Sequence, residues 1–120
     1  MLLIALFLAA AAPVQTQADM NRSAGASYVQ ADAAMTAQWQ RTYAHMKSLD
    51  AQDGSRGGGF GYAAALLASQ RAWLKFRDTQ CVIQGGEFAG GSAQSMLVAQ
   101  CRSQLTRART QQLKTLIWNH

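Results

Sequence analysis

The chain has 120 residues, with 11 Lys and Arg against 6 Asp and Glu and a net charge of +5. That length fits one domain, and two cysteines with two histidines exclude a multi-cysteine metal scaffold. The positive balance suits an anionic envelope partner, such as lipid head groups, acidic polymers or acidic proteins, or serves plain solubility. Nucleic acid is disfavoured, because the chain opens with an export signal.

Residues 2–12 read LLIALFLAAAA, an unbroken apolar run ending in small residues. This is the pattern of the apolar core and cleavage zone of a secretory signal. It is too short to span a bilayer, which takes roughly 20 residues. No Lys or Arg precedes it, so either the natural start lies upstream or the signal is atypical. Pro13 disfavours cleavage directly after Ala12. We therefore expect a signal peptide over about residues 1–15 and one domain over 16–120. No cysteine follows the run, so no lipid anchor is expected after cleavage, and the location predicted is periplasmic or secreted.

Thr16-Gln-Ala-Asp19 has the form of a capping box, with Asp19 facing the positive end of a helix dipole. The helix it opens should run to about Leu49. Ala24, Tyr28, Met35, Trp39, Tyr43 and Met46 line one stripe of it. Gly25 predicts a bend or a later start. Residues 50–59, DAQDGSRGGG, are turn chemistry and should be the most mobile internal segment. A second helix is expected from near Phe60 to about Gln84. Residues 85–92, GGEFAGGS, break it, and a third starts between Ser92 and Met96 and ends at Ile117 or Trp118. No stretch alternates as a strand would. The fold class expected is all-α, a small antiparallel bundle of three main helices.

Cys81 and Cys101 each fall on the apolar side of a helix, in an exported chain. They predict one disulfide between helices 2 and 3, the alternative being two buried free thiols. Closing a loop of about 20 residues contributes roughly 3 kcal/mol on the chain-entropy model. The geometry is tight. Cys101 lies about nine residues, or roughly 13 Å, beyond Ser92, whereas Cys81 is about one turn before the break. Either helix 3 starts later or the loop folds back along it.

Helical phase places Gln70 and Arg77 inside the apolar arc of Ala63, Leu66, Leu67, Trp73, Leu74 and Cys81. Asp32 falls inside the stripe of helix 1. A charge so placed must be paired or reach water, so an Asp32–Arg77 ion pair is predicted, with Gln70 alongside; the alternative is a functional site around Arg77. Arg71, Lys75 and Asp78 should face water. On helix 3 the apolar arc is Leu97, Val98, Cys101, Leu105, Ala108 and Leu116, flanked by Arg102 and Arg109, with Arg107 and Lys114 pointing away.

Catalytic signals are weak. His45 and the terminal His120 have no metal-motif neighbours. GGGFG at 57–61 lacks the P-loop lysine and a preceding strand. Asp50 and Asp53 imitate a carboxylate pair but sit in a polar loop, a poor place to tune a pKa. Neither an enzyme nor a cofactor is expected.

The run QRAWLKFRDTQC, the Gly90-Gly91-Ser92 turn, Cys101 and LTRARTQQL resemble the LprI-type lysozyme-inhibitor family. The matching positions include Gln70, Arg71, Trp73, Leu74, Phe76, Arg77, Asp78, Cys81, Leu105, Thr106, Arg109 and Leu113. ADMN at 18–21 and Tyr28 to Asp32 extend the likeness into the first helix. The resemblance implies a small exported helical domain with the cysteine pair oxidised, which binds and inhibits lysozyme. Family members often have further cysteines near the first helix; Arg22 and Ser23 stand there, so that second bridge is absent. The expected function is inhibition of lysozyme-like muramidases by occlusion. The alternative is an envelope module that binds an anionic surface or a periplasmic protein. Candidate target contacts are the loop acids Asp53 and Glu87, or Arg56 entering an acidic catalytic cleft.

Overall fold

The computed structural model describes residues 4–5 and 14–118. Most of the expected signal run and His120 lie outside the described residues. Within them there are three α-helices and no strand: α1 (Gln17–Gln52), α2 (Tyr62–Gly85) and α3 (Gln94–Thr115).

The capping box opens α1. Thr16 Oγ1 accepts from the Asp19 amide at 3.1 Å, and the Thr16 amide donates to Asp19 Oδ2 at 3.3 Å. The helix continues through Gly25 without a break, so the later start is not seen, and a Cβ at Gly25 would touch nothing. Its open position lets a flexible residue sit inside a helix that is held by capping and packing on either side. α1 also runs past Leu49 to Gln52, so Asp50 belongs to its last turn.

That extension explains how α2 begins. Its N-cap is Gly61, at φ 99°, with no side chain to cap the helix. Asp50 does so from α1: Oδ1 accepts from the amides of Gly61 (2.9 Å) and Tyr62 (3.0 Å), and Oδ2 from Ala63 (3.0 Å). Free amides at a helix start attract a carboxylate. Gly59, at φ 83°, closes over this joint, and any Cβ there would run into the Asp50 backbone. Residues 50–53 and Gly59 thus belong to a helix end and the joint beside it, and residues 54–58 form the exposed turn between them.

Between α2 and α3 a 3-10 turn, Gly86–Phe88, prolongs α2. Gly90, at φ 78°, reverses the chain. The turn resolves the cysteine tension. Four residues of α2 after Cys81 plus three of the turn give about 12 Å. Seven residues of α3 before Cys101 give about 10 Å. The two cysteines come level, form the disulfide with a Cα–Cα distance of 5.4 Å, and are fully buried.

α1 lies parallel to α3, and α2 runs antiparallel to both. Asn21 Nδ2 donates to the Ser92 carbonyl (2.9 Å) near one end, and Thr42 Oγ1 to the Leu113 carbonyl (3.0 Å) towards the other. The apolar core is small: Met35, Met46, Ala63, Leu66 and Leu113, with Trp39, Tyr43, Trp73, Leu74 and Leu116 packed around it. Buried polar residues are as prominent: Gln38, Thr42, Gln70, Arg77, Ser103, Thr106, Arg109 and Thr110. On α3 this corrects the expected arc. Ala108 is exposed, while Thr106, Arg109 and Thr110 turn inward. α3 packs against two helices at once, so its inner face is wide, and hydroxyls that bond locally can enter it. Thr110 Oγ1, for example, donates to the Thr106 carbonyl (3.0 Å) and offers its methyl to the core.

Candidate functional site

Two polar constellations stand out, one inside the bundle and one at its end. The inner one is built on Arg77. Its side chain is 7% exposed and uses several donors. Nε donates to Asp78 Oδ1 (2.9 Å), and Nη1 reaches both Asp32 Oδ1 (3.3 Å) and Thr106 Oγ1 (3.3 Å). Its guanidinium carbon lies 5.4 Å from the Tyr28 ring centre and 5.3 Å from that of Trp73. Arg102 also lies 5.8 Å from the Tyr28 ring centre, and Arg109 5.9 Å from that of Trp73. Arg77 and Arg102 both approach Asp78 Oδ1, at 2.9 and 3.6 Å, so the three arginines and two rings form one cluster across all three helices. Each cation faces the negative face of an aromatic ring.

Two sequence expectations change here. Asp32 is 44% exposed rather than sunk in an apolar stripe, so its carboxylate keeps water. Asp78, assigned to the solvent side, turns back and bonds Arg77. One charge at the edge of a helix face reaches inward when an arginine fork waits there.

The arginines differ electrostatically. Burial opposes the charge on Arg77 most strongly, but the hydrogen bond it donates to Asp78, then Tyr28 and Asp32, outweigh it, and its pKa is raised. Arg109 has only neutral acceptors: Gln70 Oε1 (2.9 Å), Ser69 Oγ (3.1 Å) and Gln112 Oε1 (3.3 Å). Burial therefore lowers its pKa. Beside this cluster a groove of about 450 Å³ runs between α1 and α2, lined by Tyr28, Asp32, Trp39, Gln70, Arg71 and Arg77 among others. The polar groups at its floor already serve one another.

The second constellation lies where α1 ends, α2 begins and α3 finishes. Arg56 Nη1 pairs with Asp53 Oδ2 at 2.7 Å. Asp53 Oδ1 accepts from the Ser55 hydroxyl and, at 3.1 Å, from the Ser55 amide. The Ser55 hydroxyl first, then its amide and Arg56, hold the Asp53 carboxyl below its ordinary range. The Arg56 guanidinium sits 5.4 Å from the Phe60 ring centre, and Phe60 is 58% exposed. Phe60 packs on Tyr62 (4.4 Å) and Tyr62 meets Trp118 edge-on (5.7 Å). Arg56 and Asp53 thus share one exposed tip with three aromatic rings. Sequence reasoning missed those rings; the aromatics flanking the glycine loop and closing the third helix were the available signal. Glu87 lies on the 3-10 turn at the opposite end, about 36 Å away along the 24 residues of α2. The three candidate contacts therefore divide into two places.

Catalytic machinery does not assemble from the other signals. The Asp50 carboxyl is held below its ordinary range by the Ala63 amide first, and by those of Tyr62 and Gly61 against some burial. With Asp53 also lowered, neither carboxyl holds a proton near neutral pH to act as a general acid. The amides following GGGFG are filled by Asp50, so they are not free for a phosphate. Among the described residues no group of three or more His, Cys, Asp or Glu could hold a metal ion. No described helix is long and apolar enough to cross a membrane.

Comparison with known proteins adds two findings. The sequence matches the family described as lysozyme inhibitor LprI over residues 8–113, which takes in α1, α2 and nearly all of α3. It is also 39% identical over 103 residues to an uncharacterized protein of Rhizobium meliloti (strain 1021), covering 85% of this chain and 74% of that protein. No solved structure matches.

Proposed function

This chain belongs to the LprI family of lysozyme inhibitors, and from that membership we propose that it is an exported binding protein that inhibits lysozyme-like muramidases by occlusion. The family match over residues 8–113 carries the reading. The tip at the end of α1 supports a mode of contact. Arg56 is exposed at one end of the bundle and is held there by Asp53 and Phe60. Side chains fixed before binding lose less entropy on contact. A muramidase cleft holds two carboxylates around the scissile bond, and a cation entering it is attracted even when the enzyme is basic as a whole.

The test is muramidase activity titrated with the oxidised mature chain, against animal c-type and g-type lysozymes and a bacterial lytic enzyme. We expect saturable, stoichiometric inhibition. Arg56→Ala should fold normally and weaken inhibition by roughly 30-fold, about 2 kcal/mol for a central interface residue. Full inhibition by that variant removes Arg56 from the contact. No inhibition by the wild type at high micromolar excess rejects the muramidase reading and favours an anionic envelope partner, whose binding should fade steeply with salt.

A further inference from the structure

The outward face of α2 has no partner in the bundle. At helical spacing it presents Ala65, Ala68, Ala72, Phe76, Thr79 and Ile83, all exposed, with Phe76 52% and Ile83 70% accessible. No charged residue interrupts this strip. Thr79 does not interrupt its apolar character, because its hydroxyl is taken up by the Lys75 carbonyl (2.8 Å). The strip is also graded: its first half is small, its second half bulky.

We propose that this face docks on the same face of a second copy, forming an antiparallel α2–α2 homodimer. Its register is written in the sequence. Ala65 with Ile83 and Ala72 with Phe76 share one midpoint, at the level of Leu74, and Ala68 with Thr79 centres within half a residue of it. A two-fold axis there lays the bulky half of each copy on the small half of the other. Such an interface is isologous and closes on itself. A parallel pairing would stack Phe76 on Phe76 and leave the alanines facing a gap, which close packing disfavours. The antiparallel register also brings Arg71 of each copy towards the level of Asp78 of the second copy. Lys75 lies on the same flank, where its long stem lets the ammonium reach solvent.

From Ala65 to Ile83 the strip is about 27 Å long and one helix wide. That places the contact among small, transient interfaces, so association should depend on concentration. The proposal is independent of whether the chain inhibits a muramidase.

Sedimentation equilibrium of the oxidised chain tests it. Between low and high micromolar concentration the mass should rise towards twice that of the monomer. Ala72→Glu and Phe76→Lys each change an exposed position, should keep the helical circular dichroism, and should each stay monomeric. Ile83→Lys serves as a second disrupting change should either fold poorly. Mixing the Ala72→Glu and Phe76→Lys chains should restore a dimer, since the carboxylate introduced in one chain then meets the ammonium introduced in the other. A wild type that stays monomeric throughout overturns the proposal, as does a dimer that survives these substitutions. Failure of the mixture to associate overturns the register.

Discussion

Arg77 and Asp50 show how much one side chain holds together in this protein. Arg77 joins a residue from each helix: Asp32 on α1, Asp78 on α2 and Thr106 on α3. Replacing it with Ala removes the centre of the arginine–aromatic cluster and leaves Thr106 without its donor. Because Asp32 and Asp78 are both about half exposed, their carboxylates rehydrate rather than remain stranded. We expect Arg77→Ala to destabilise the fold by about 2 kcal/mol, below the roughly 3–5 kcal/mol typical of breaking a fully buried pair. Denaturant unfolding checks this. Asp50 offers a pH signature. Its folded pKa lies below the ordinary value of 3.8, so the unfolded state binds more protons in that range. Its contribution is complete above the ordinary value and is lost as pH falls through the lower folded one. Asp50→Asn should lower the melting temperature at neutral pH, and the gap to wild type should close on acidification below about pH 3.8.

At the scale of the element, the close approach of α2 and α3 beside the disulfide depends on Gly85. It is buried, and a Cβ there would lie 2.5 Å from Val98 Cγ2. Valine is stiff at χ1 and yields poorly. Gly85→Ala gains helix propensity of up to about 1 kcal/mol but meets an overpacking cost of about 1–3 kcal/mol. The expected result is a net loss of about 1 kcal/mol, read as a lower melting temperature with the disulfide intact. The elements themselves were largely legible. Capping at Thr16, glycine breaks and the phase of both cysteines are local signals, and three helices with a staple follow from them. The inner face of α3 was not legible. Thr106 and Thr110 had no place in the expected apolar arc, yet both are buried, each with its hydroxyl satisfied locally or by Arg77. Asp50 was misassigned for a similar reason. A carboxylate beside glycines looks like a loop residue, and its real partners are amides 11 to 13 positions away.

Over the whole molecule, up-down-up topology separates the two turns by the length of α2, so each end of the bundle has its own character. One end carries the Arg56 tip and its aromatic rings; the other carries the disulfide, the 3-10 turn and Glu87. That separation is why a contact set spanning both loops could be named from composition but not gathered into one surface. Only the α2–α3 hairpin is closed covalently. α1 is fastened by side chains alone, at Ser92 near its start, through the arginine cluster along its length, and at Leu113 and the α2 amides towards its end.

The Asp50 clamp has a consequence for change over generations. Because α2 is anchored directly by α1, its position is set independently of the exposed residues 54–58. Those residues can vary in length and chemistry while the helices stay where they are. The bundle is then a constant frame, and substitutions confined to that short stretch should change the chemistry of one end without moving the helices.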